Sequence, residues 1–178
     1  VAEVRGRTGE RGGPERRGQP EAEAGIRSVL ASTYGDMGDY AKAEGHQKRA
    51  VELLEHVRGS RDSLTLTARS ALGGVYIQLG RLEQGDSLLK RTAAEQSALL
   101  GEADPKTLTT LSLLASSYSY QERAAEAESI GSRIVPLLRR HLGDSDPVTQ
   151  SAMNTLAVTL RDAGKYAASA CLVVPLHW

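Results

Sequence analysis

The chain has 178 residues and carries 22 Lys and Arg against 22 Asp and Glu, so its formal net charge is zero. A neutral chain has no net field to attract nucleic acid or an anionic membrane surface, and we expect neither as a partner. No apolar run approaches the roughly 20 residues that a membrane span needs, and the single Cys171 fits a reducing compartment such as the cytoplasm but leaves the localisation open.

Residues 1–20 are rich in Arg and Gly and predict a disordered linker. Apart from Val1, Ala2 and Val4 they offer little to bury, so burial cannot offset the conformational entropy that ordering would cost. The alternative is an arginine-rich arm that binds phosphate or RNA. We favour the linker, because the segment has no aromatic side chain on which a base could stack.

From residue 21 onward, a phrase that returns every 42 residues organises the chain. The phrase consists of Leu100, Gly101, Asp104, Pro105 and Thr107. It returns 42 residues later as Leu142, Gly143, Asp146, Pro147 and Thr149. A fixed period of this length is typical of stacked repeats. It predicts a repeat domain over residues 21–178, with units at about 21–59, 62–101, 104–143 and 146–178, of which the last is incomplete.

Each unit reads as two helices. Leu72, Val75, Tyr76 and Leu79 have the spacing of a buried helical stripe. A break with a left-handed glycine follows at Gly38, Gly80 and Gly164. Glu122 takes that place in the third unit, where we expect a less regular turn. The second helices are predicted to begin near Tyr40, Leu82, Ala124 and Tyr166.

Small residues predict where the two helices of a unit meet. The first helices carry Ala31, Gly73, Ala115 and Ala157, and the second helices carry Ala43, Gly85, Ala127 and Ser169. Asp62, Asp104 and Asp146 are predicted to cap the next unit, with Pro in the first helical position of the last two. Gly59, Gly101 and Gly143 are expected to end the preceding pair.

Two segments depart from the repeat. Pro136 falls inside the second helix of the third unit and is expected to kink it. Residues 171–178 replace the amphipathic helix expected in the fourth unit with an apolar, uncapped tail, which we interpret as a truncation or an artefact of gene assembly. An incomplete fourth hairpin would leave a face through which the chain could associate with a second copy.

Leu30, Ala31, Tyr34, Gly38, Tyr40, Ala43 and Ala50 follow the tetratricopeptide pattern. The 42-residue period and the Leu-Gly-x-x-Asp-Pro connector resemble the repeats of kinesin light chains and their bacterial relatives. The resemblance implies an all-α tetratricopeptide solenoid, in which antiparallel helical hairpins stack into a right-handed superhelix. The chain departs from the family at positions that are usually large and apolar: Arg27, Gln47, Arg69 and Gly131.

The motifs that carry chemistry are weak. Gly85 to Leu88 spells an esterase signature, but Ser87 falls within a predicted helix and no Asp-x-x-His follows. The segment Ala163 to Tyr166 resembles the end of a phosphate-binding loop, but it lacks the earlier Gly and the Ser or Thr that such a loop needs. The four histidines are not spaced as zinc ligands, and Cys171 has no base near it in the pattern. We therefore predict no enzyme, no metal and no cofactor.

The resemblance places the first helix of each hairpin on an inner, concave face, and residues four apart share a helix face. The predicted concave residues are Ser28, Ser32, Asp36, Ser70, Gly74, Gln78, Ser112, Ser116, Tyr120, Asn154, Val158 and Asp162. Their small polar side chains predict an extended peptide ligand, and Asp36 and Asp162 favour basic ligand residues. The alternative is a solvated wall that binds nothing.

Two functions remain open from the sequence. The first is a scaffold that binds a protein or peptide in its concave groove. The alternative is a regulatory or sensory C-terminal region of a bacterial serine/threonine kinase or other signalling protein, because the phrase Gln19, Pro20, Glu21 that leads into the first repeat resembles kinase-associated relatives.

Overall fold

In a computed structural model that describes residues 14–165 together with residues 168 and 169, the described residues form seven α-helices and no strand. The helices are α1 (Pro14–Asp36), α2 (Tyr40–Arg58), α3 (Ser63–Gln78), α4 (Leu82–Leu100), α5 (Pro105–Tyr120), α6 (Ala124–Leu142) and α7 (Pro147–Asp162). Helix α1 packs with α2, α3 with α4 and α5 with α6, and each pair stacks on the next. The predicted all-α solenoid of helical hairpins is confirmed.

Each new pair begins at an aspartate that caps its first helix. Asp62, Asp104 and Asp146 each accept the backbone N–H two residues further on, at 2.8–2.9 Å. The carboxylate thereby satisfies one of the N–H groups that a helix start leaves without a partner. The preceding helices end at glycines of positive φ: Gly59, Gly101 and Gly143. The predicted connector is confirmed.

The turn inside each pair uses one left-handed residue. That residue is Gly38, Gly80 or Gly164 in three of the turns, with φ between +72° and +80°. Glu122 adopts the same conformation in the third unit, with φ at +58°. Arg123 N–H donates to Tyr118 O at 2.9 Å, as Arg81 N–H donates to Tyr76 O at 2.9 Å. The expectation of a less regular turn was wrong, because helix packing imposes the turn on whichever residue stands there.

Glu122→Gly is expected to stabilise the chain by about 1 kcal/mol, because a left-handed conformation costs a residue with a Cβ roughly 1–2 kcal/mol and glycine loses part of that gain through its freer unfolded state. Urea unfolding measures the change. Glu83→Gly is the control, since Glu83 is exposed in the first turn of α4 and should lose about 0.5–1 kcal/mol. Equal losses in both variants would contradict the prediction.

The two helices of a pair meet where small residues face each other. A Cβ added to Gly85 would lie 3.2 Å from Gly73 O, and Ser169 Oγ donates to Ala157 O at 2.9 Å. The alanines at the equivalent positions are buried: Ala31, Ala43, Ala115 and Ala127. The predicted contact between the two columns of small residues is therefore confirmed.

The apolar core is divided into three clusters along the stack. One joins α1, α2 and α3 around Leu54 and Leu72, the next joins α3, α4, α5 and α6 around Leu89, and the third joins α5, α6 and α7 around Leu138 and Leu156. Each cluster includes residues of two successive pairs. The stability of such a stack depends mainly on contacts between neighbouring units.

Two polar residues at positions that are usually apolar are buried and have partners. Arg69 forms ion pairs with Glu55 at 2.6 Å and with Glu95 at 3.1 Å. Gln47 donates from Nε2 to Ala68 O at 2.9 Å. A buried polar group costs little when its hydrogen bonds are made, so these residues tie α2, α3 and α4 together.

The ends of the array differ in part from the sequence prediction. Helix α1 begins at Pro14, so its first turns fall within the segment for which a linker is predicted. Helix α6 continues through Pro136 to Leu142. The predictions for residues 1–13, for the second helix of the fourth unit at Tyr166, and for the tail at 171–178 lie outside the described residues.

Candidate functional site

A groove of about 850 Å³ opens between α1 and α3, with α2 as its floor. We call it the α1–α3 groove. Helices α3 and α5, and α5 and α7, are in close contact, whereas α1 and α3 are not in close contact along their length. The gap therefore belongs to the first two units of the array.

Small residues on both walls keep the α1–α3 groove open. The lining residues on α1 include Gly18, Ala22, Gly25, Ser28, Ser32 and Gly35, and those on α3 include Thr67, Ala68, Ala71 and Gly74. A Cβ added to Gly25 or Gly35 would meet no other atom within 4 Å. The floor is formed by Gln47 and Leu54. Such walls leave space that apolar side chains of a ligand can occupy.

The charged residues that line the α1–α3 groove are acidic. Glu21 and Asp36 are both carboxylates, and the lining contains no Lys or Arg. Glu21 forms an ion pair with Arg58 at 3.2 Å, and this hydrogen bond raises the pKa of Arg58 above its ordinary value. The Asp36 carboxylate is exposed and has no side-chain hydrogen bond within the part of the chain that the structure describes. The groove therefore favours a cationic group near Asp36.

Several predicted site residues lie together in this groove. Ser28, Ser32, Asp36, Gly74 and Gln78 all line it. They come from two helices that are separated by the whole of α2, so their proximity depends on the stacking of two units.

Another part of the predicted set lies at the other end of the chain. Ser116, Tyr120, Asn154 and Val158 line a shallow depression of about 510 Å³ between α5 and α7. Ser116 Oγ is 3.1 Å from Thr155 Oγ1, which links the two helices. This depression is smaller than the α1–α3 groove and its walls touch. Asp162 lies at the end of α7, where Arg161 contacts it at 3.3 Å.

The structure does not place Ser70 and Ser112 on the open wall. Both are buried, and Ser70 Oγ lies 2.8 Å from Thr110 Oγ1 between α3 and α5. The prediction used positions four apart, but an α-helix turns in 3.6 residues. A series with a step of four therefore rotates about 40° per step, and its first members on α3 and α5 fall inside the stack.

The prediction missed Leu64, Thr67 and Ala71, which line the α1–α3 groove on α3, and Leu113, which lines it on α5. Leu64, Thr67, Ala71, Gly74 and Gln78 are spaced by three and four residues in alternation, which is the spacing of one helix face. That alternation is a signal in the sequence that could have identified them.

The motifs set aside for catalysis have ordinary places in the fold. Gly85 to Leu88 lies within α4, and Ser87 is exposed there. In the part of the chain that the structure describes, no group of three or more His, Cys, Asp or Glu could hold a metal ion. Over the same residues, the helices are too short or too polar to cross a membrane.

The sequence profile described as tetratricopeptide repeat matches residues 23–94 and again residues 64–140. The chain belongs to the tetratricopeptide repeat family. These matches cover more than half of the chain, and together they span most of the first three helix pairs. A search of curated proteins finds no match in sequence.

Solved structures of kinesin-light-chain-like repeats share this fold. A Podosopora anserina protein named as a kinesin light chain with nearly identical TPR-like repeats, and a variant of it with one substitution, superpose with a TM-score of 0.75 at 20% identity, covering 86% of this chain and 72% of theirs. BtubC (BKLC) from P. vanneervenii gives 0.74 at 20% identity over 86% of this chain.

The chain spans 61% of the length of BtubC. The likeness to these structures is one of fold alone at this identity. The shared fold is the one that the resemblance to kinesin-light-chain-like repeats implies.

Proposed function

We propose that this chain is a non-enzymatic scaffold that binds a peptide segment of a partner protein in the α1–α3 groove. Tetratricopeptide repeats generally mediate protein–protein interaction. The observation that carries the proposal is the open volume of about 850 Å³ between two helices with mostly small facing residues. Ligand sites typically have volumes of roughly 300–1,000 Å³.

The groove supports a ligand of particular chemistry. Its floor and walls accept small or apolar side chains, while Ser28, Ser32 and Gln78 can form hydrogen bonds with the backbone of an extended peptide. Asp36 attracts a Lys or Arg of the ligand, since the lining holds no cation to compete for the carboxylate. The ligand is therefore an extended, apolar peptide with a basic residue at the end of the groove near Asp36.

The lining of the groove also supports a non-enzymatic role. It contains neither His nor Cys, and His is the side chain that most often transfers protons in catalysis. The serines of the groove therefore lack the histidine that typically activates a nucleophilic serine.

Ala71→Arg is expected to weaken peptide binding by at least about tenfold, because the new side chain fills the groove between α1 and α3. Ala71 is exposed, so the change should leave the fold intact. An array of short peptides, each carrying one basic residue, is first screened with the wild-type chain. Affinities of the peptides that bind are then measured by fluorescence anisotropy.

Ala98→Arg is the matched control for this experiment. Ala98 is also exposed, lies in the last turn of α4 and does not line the groove, so binding should be unchanged. Equal affinities of the wild type and both variants would contradict the groove proposal. Variants at Ser112 would be unsuitable, because that side chain is buried and an arginine there would disturb the stack.

The alternative function, a regulatory or sensory region of a bacterial kinase or other signalling protein, stays a prediction. Sequencing the full-length reading frame tests it, because a kinase domain in that frame would support it and its absence would not. Self-association through the fourth unit and a cytoplasmic location also stay predictions. The exclusion of nucleic acid rests on the zero net charge of the chain.

A further inference from the structure

The side of α1 that faces away from the groove carries exposed apolar residues. Ile26 is 63% exposed, Leu30 is 38% exposed and Met37 is 74% exposed. We call Ile26, Arg27 and Leu30, together with Met37 directly after the end of the helix, the α1 outer face. None of these four residues lines the α1–α3 groove. The α1 outer face is therefore a separate surface.

The repeat shows what covers this face in the other units. Residues equivalent to Ile26 and Leu30 are buried in every later unit: Ala68, Thr110, Ala152, Leu72, Leu114 and Leu156. In each case the second helix of the preceding pair covers them, since α2 packs on α3, α4 on α5 and α6 on α7. The same positions on α1 have no such helix among the described residues.

Two of the covering helices, α2 and α6, share a pattern of side chains. In α2, Ala50, Val51 and Leu54 pack with α3 in one cluster. In α6 the equivalent Ile134, Val135 and Leu138 pack with α7. The pattern is apolar at positions i, i+1 and i+4, which lie on one face of a helix.

A charge completes the pattern in α2. Glu55, at position i+5, forms an ion pair with the buried Arg69 at 2.6 Å. Arg27 is the equivalent of Arg69 in the first unit. It pairs with Glu23 of its own helix at 3.0 Å, and both side chains are more than a third exposed. Such a surface pair contributes little free energy, so Arg27 can exchange it for a carboxylate of a docked helix.

The geometry points to the α1 outer face as a docking surface for an amphipathic helix of a partner protein, with apolar residues at i, i+1 and i+4 and a carboxylate at i+5 that pairs with Arg27. A second copy does not fit this role through the helices that the structure describes, because α2, α4 and α6 already use the matching face within their own chain. Residues 1–13 carry no such pattern of residue types.

A synthetic peptide with the sequence of α2, residues 40–58, is the probe, because it carries the whole pattern. We expect saturable binding to the full chain, measured by fluorescence anisotropy, and a loss of at least about tenfold in affinity with Leu30→Glu, since a buried carboxylate would replace an apolar contact. Val158→Glu is the matched control. Val158 is also 38% exposed but lies on α7, and this variant should bind normally.

A charge exchange tests the role of Arg27. A peptide with Glu55→Arg should bind the wild-type chain more weakly, and Arg27→Glu in the chain should restore its affinity. Absence of saturable binding, or equal binding to the Leu30→Glu variant, would overturn the proposal. Self-association that Leu30→Glu abolishes, measured by analytical ultracentrifugation, would replace the partner helix with a second copy and also overturn it. Ala71→Arg should leave this binding unchanged, so the two surfaces are tested separately.

Discussion

Gly73→Ala is expected to destabilise the wild-type chain but to stabilise the Leu89→Ala variant. A Cβ added to Gly73 would lie 2.6 Å from Cγ and Cδ2 of Leu89, a side chain with no exposed surface. Overpacking of this kind costs about 1–3 kcal/mol, which exceeds the roughly 1 kcal/mol that alanine gains over glycine in a helix. Leu89→Ala alone should cost about 2–5 kcal/mol.

The other units of the chain support this coupling. Where the position of Gly73 is taken by alanine, as in Ala31 and Ala115, the position of Leu89 is taken by Gln47 and Gly131. No described unit combines alanine at the first position with leucine at the second. In the second unit, the large Leu89 side chain thus fills the space that the missing Cβ of Gly73 leaves.

Urea unfolding of the wild type, both single variants and the double variant measures the coupling. We expect an interaction free energy of about 1–3 kcal/mol, with the double variant more stable than Leu89→Ala alone. The control cycle combines Gly73→Ala with Leu108→Ala. Leu108 is equally buried but is not among the atoms nearest to Gly73, so that cycle should be additive. An additive cycle for Leu89 as well would contradict the prediction.

Thr110→Ala is expected to destabilise the chain by about 1–3 kcal/mol, the cost of leaving a buried polar atom without its partner. Thr110 Oγ1 is 2.6 Å from Gln96 Oε1 and 2.8 Å from Ser70 Oγ, and all three residues are buried. Without the Thr110 hydroxyl, the Gln96 carbonyl has lost its donor.

Gln96→Leu should recover most of that loss in the Thr110→Ala background. The neighbouring units have this apolar pair in place of Gln96 and Thr110: Leu54 with Ala68, and Leu138 with Ala152. Replacing both members of a buried polar pair by apolar groups of similar shape can be nearly neutral. The exposed Thr67→Ala is the control and should change stability by no more than about 0.5 kcal/mol. A double variant less stable than Thr110→Ala would refute the idea.

Much of the fold follows from local signals. The starts of α2, α4 and α6 at Tyr40, Leu82 and Ala124 agree with the prediction. They were predictable because a helix end depends on a capping carboxylate or a left-handed residue within a few positions of it. The 42-residue period then gives the number of pairs without knowledge of any long-range contact.

The candidate site was only partly predictable. Ser28, Ser32, Asp36 and Gln78 line the α1–α3 groove, whereas Ser70 is buried. Whether a residue near the edge of a helix face is open or buried depends on how far that helix is rotated against its neighbours. Successive residues on a helix point about 100° apart, so Ser70 is buried whereas the next residue, Ala71, lines the groove.

The amino-acid sequence alone was sufficient for the repeat, the caps, the starts of α2 to α7 and the tetratricopeptide family, because each of these depends on residue types at fixed spacings. Packing between units was needed for the rest. It opens a groove between α1 and α3 but not between α5 and α7, and it imposes a left-handed conformation on Glu122. It also leaves the α1 outer face exposed, because burial depends on a neighbouring helix and not on the residue itself.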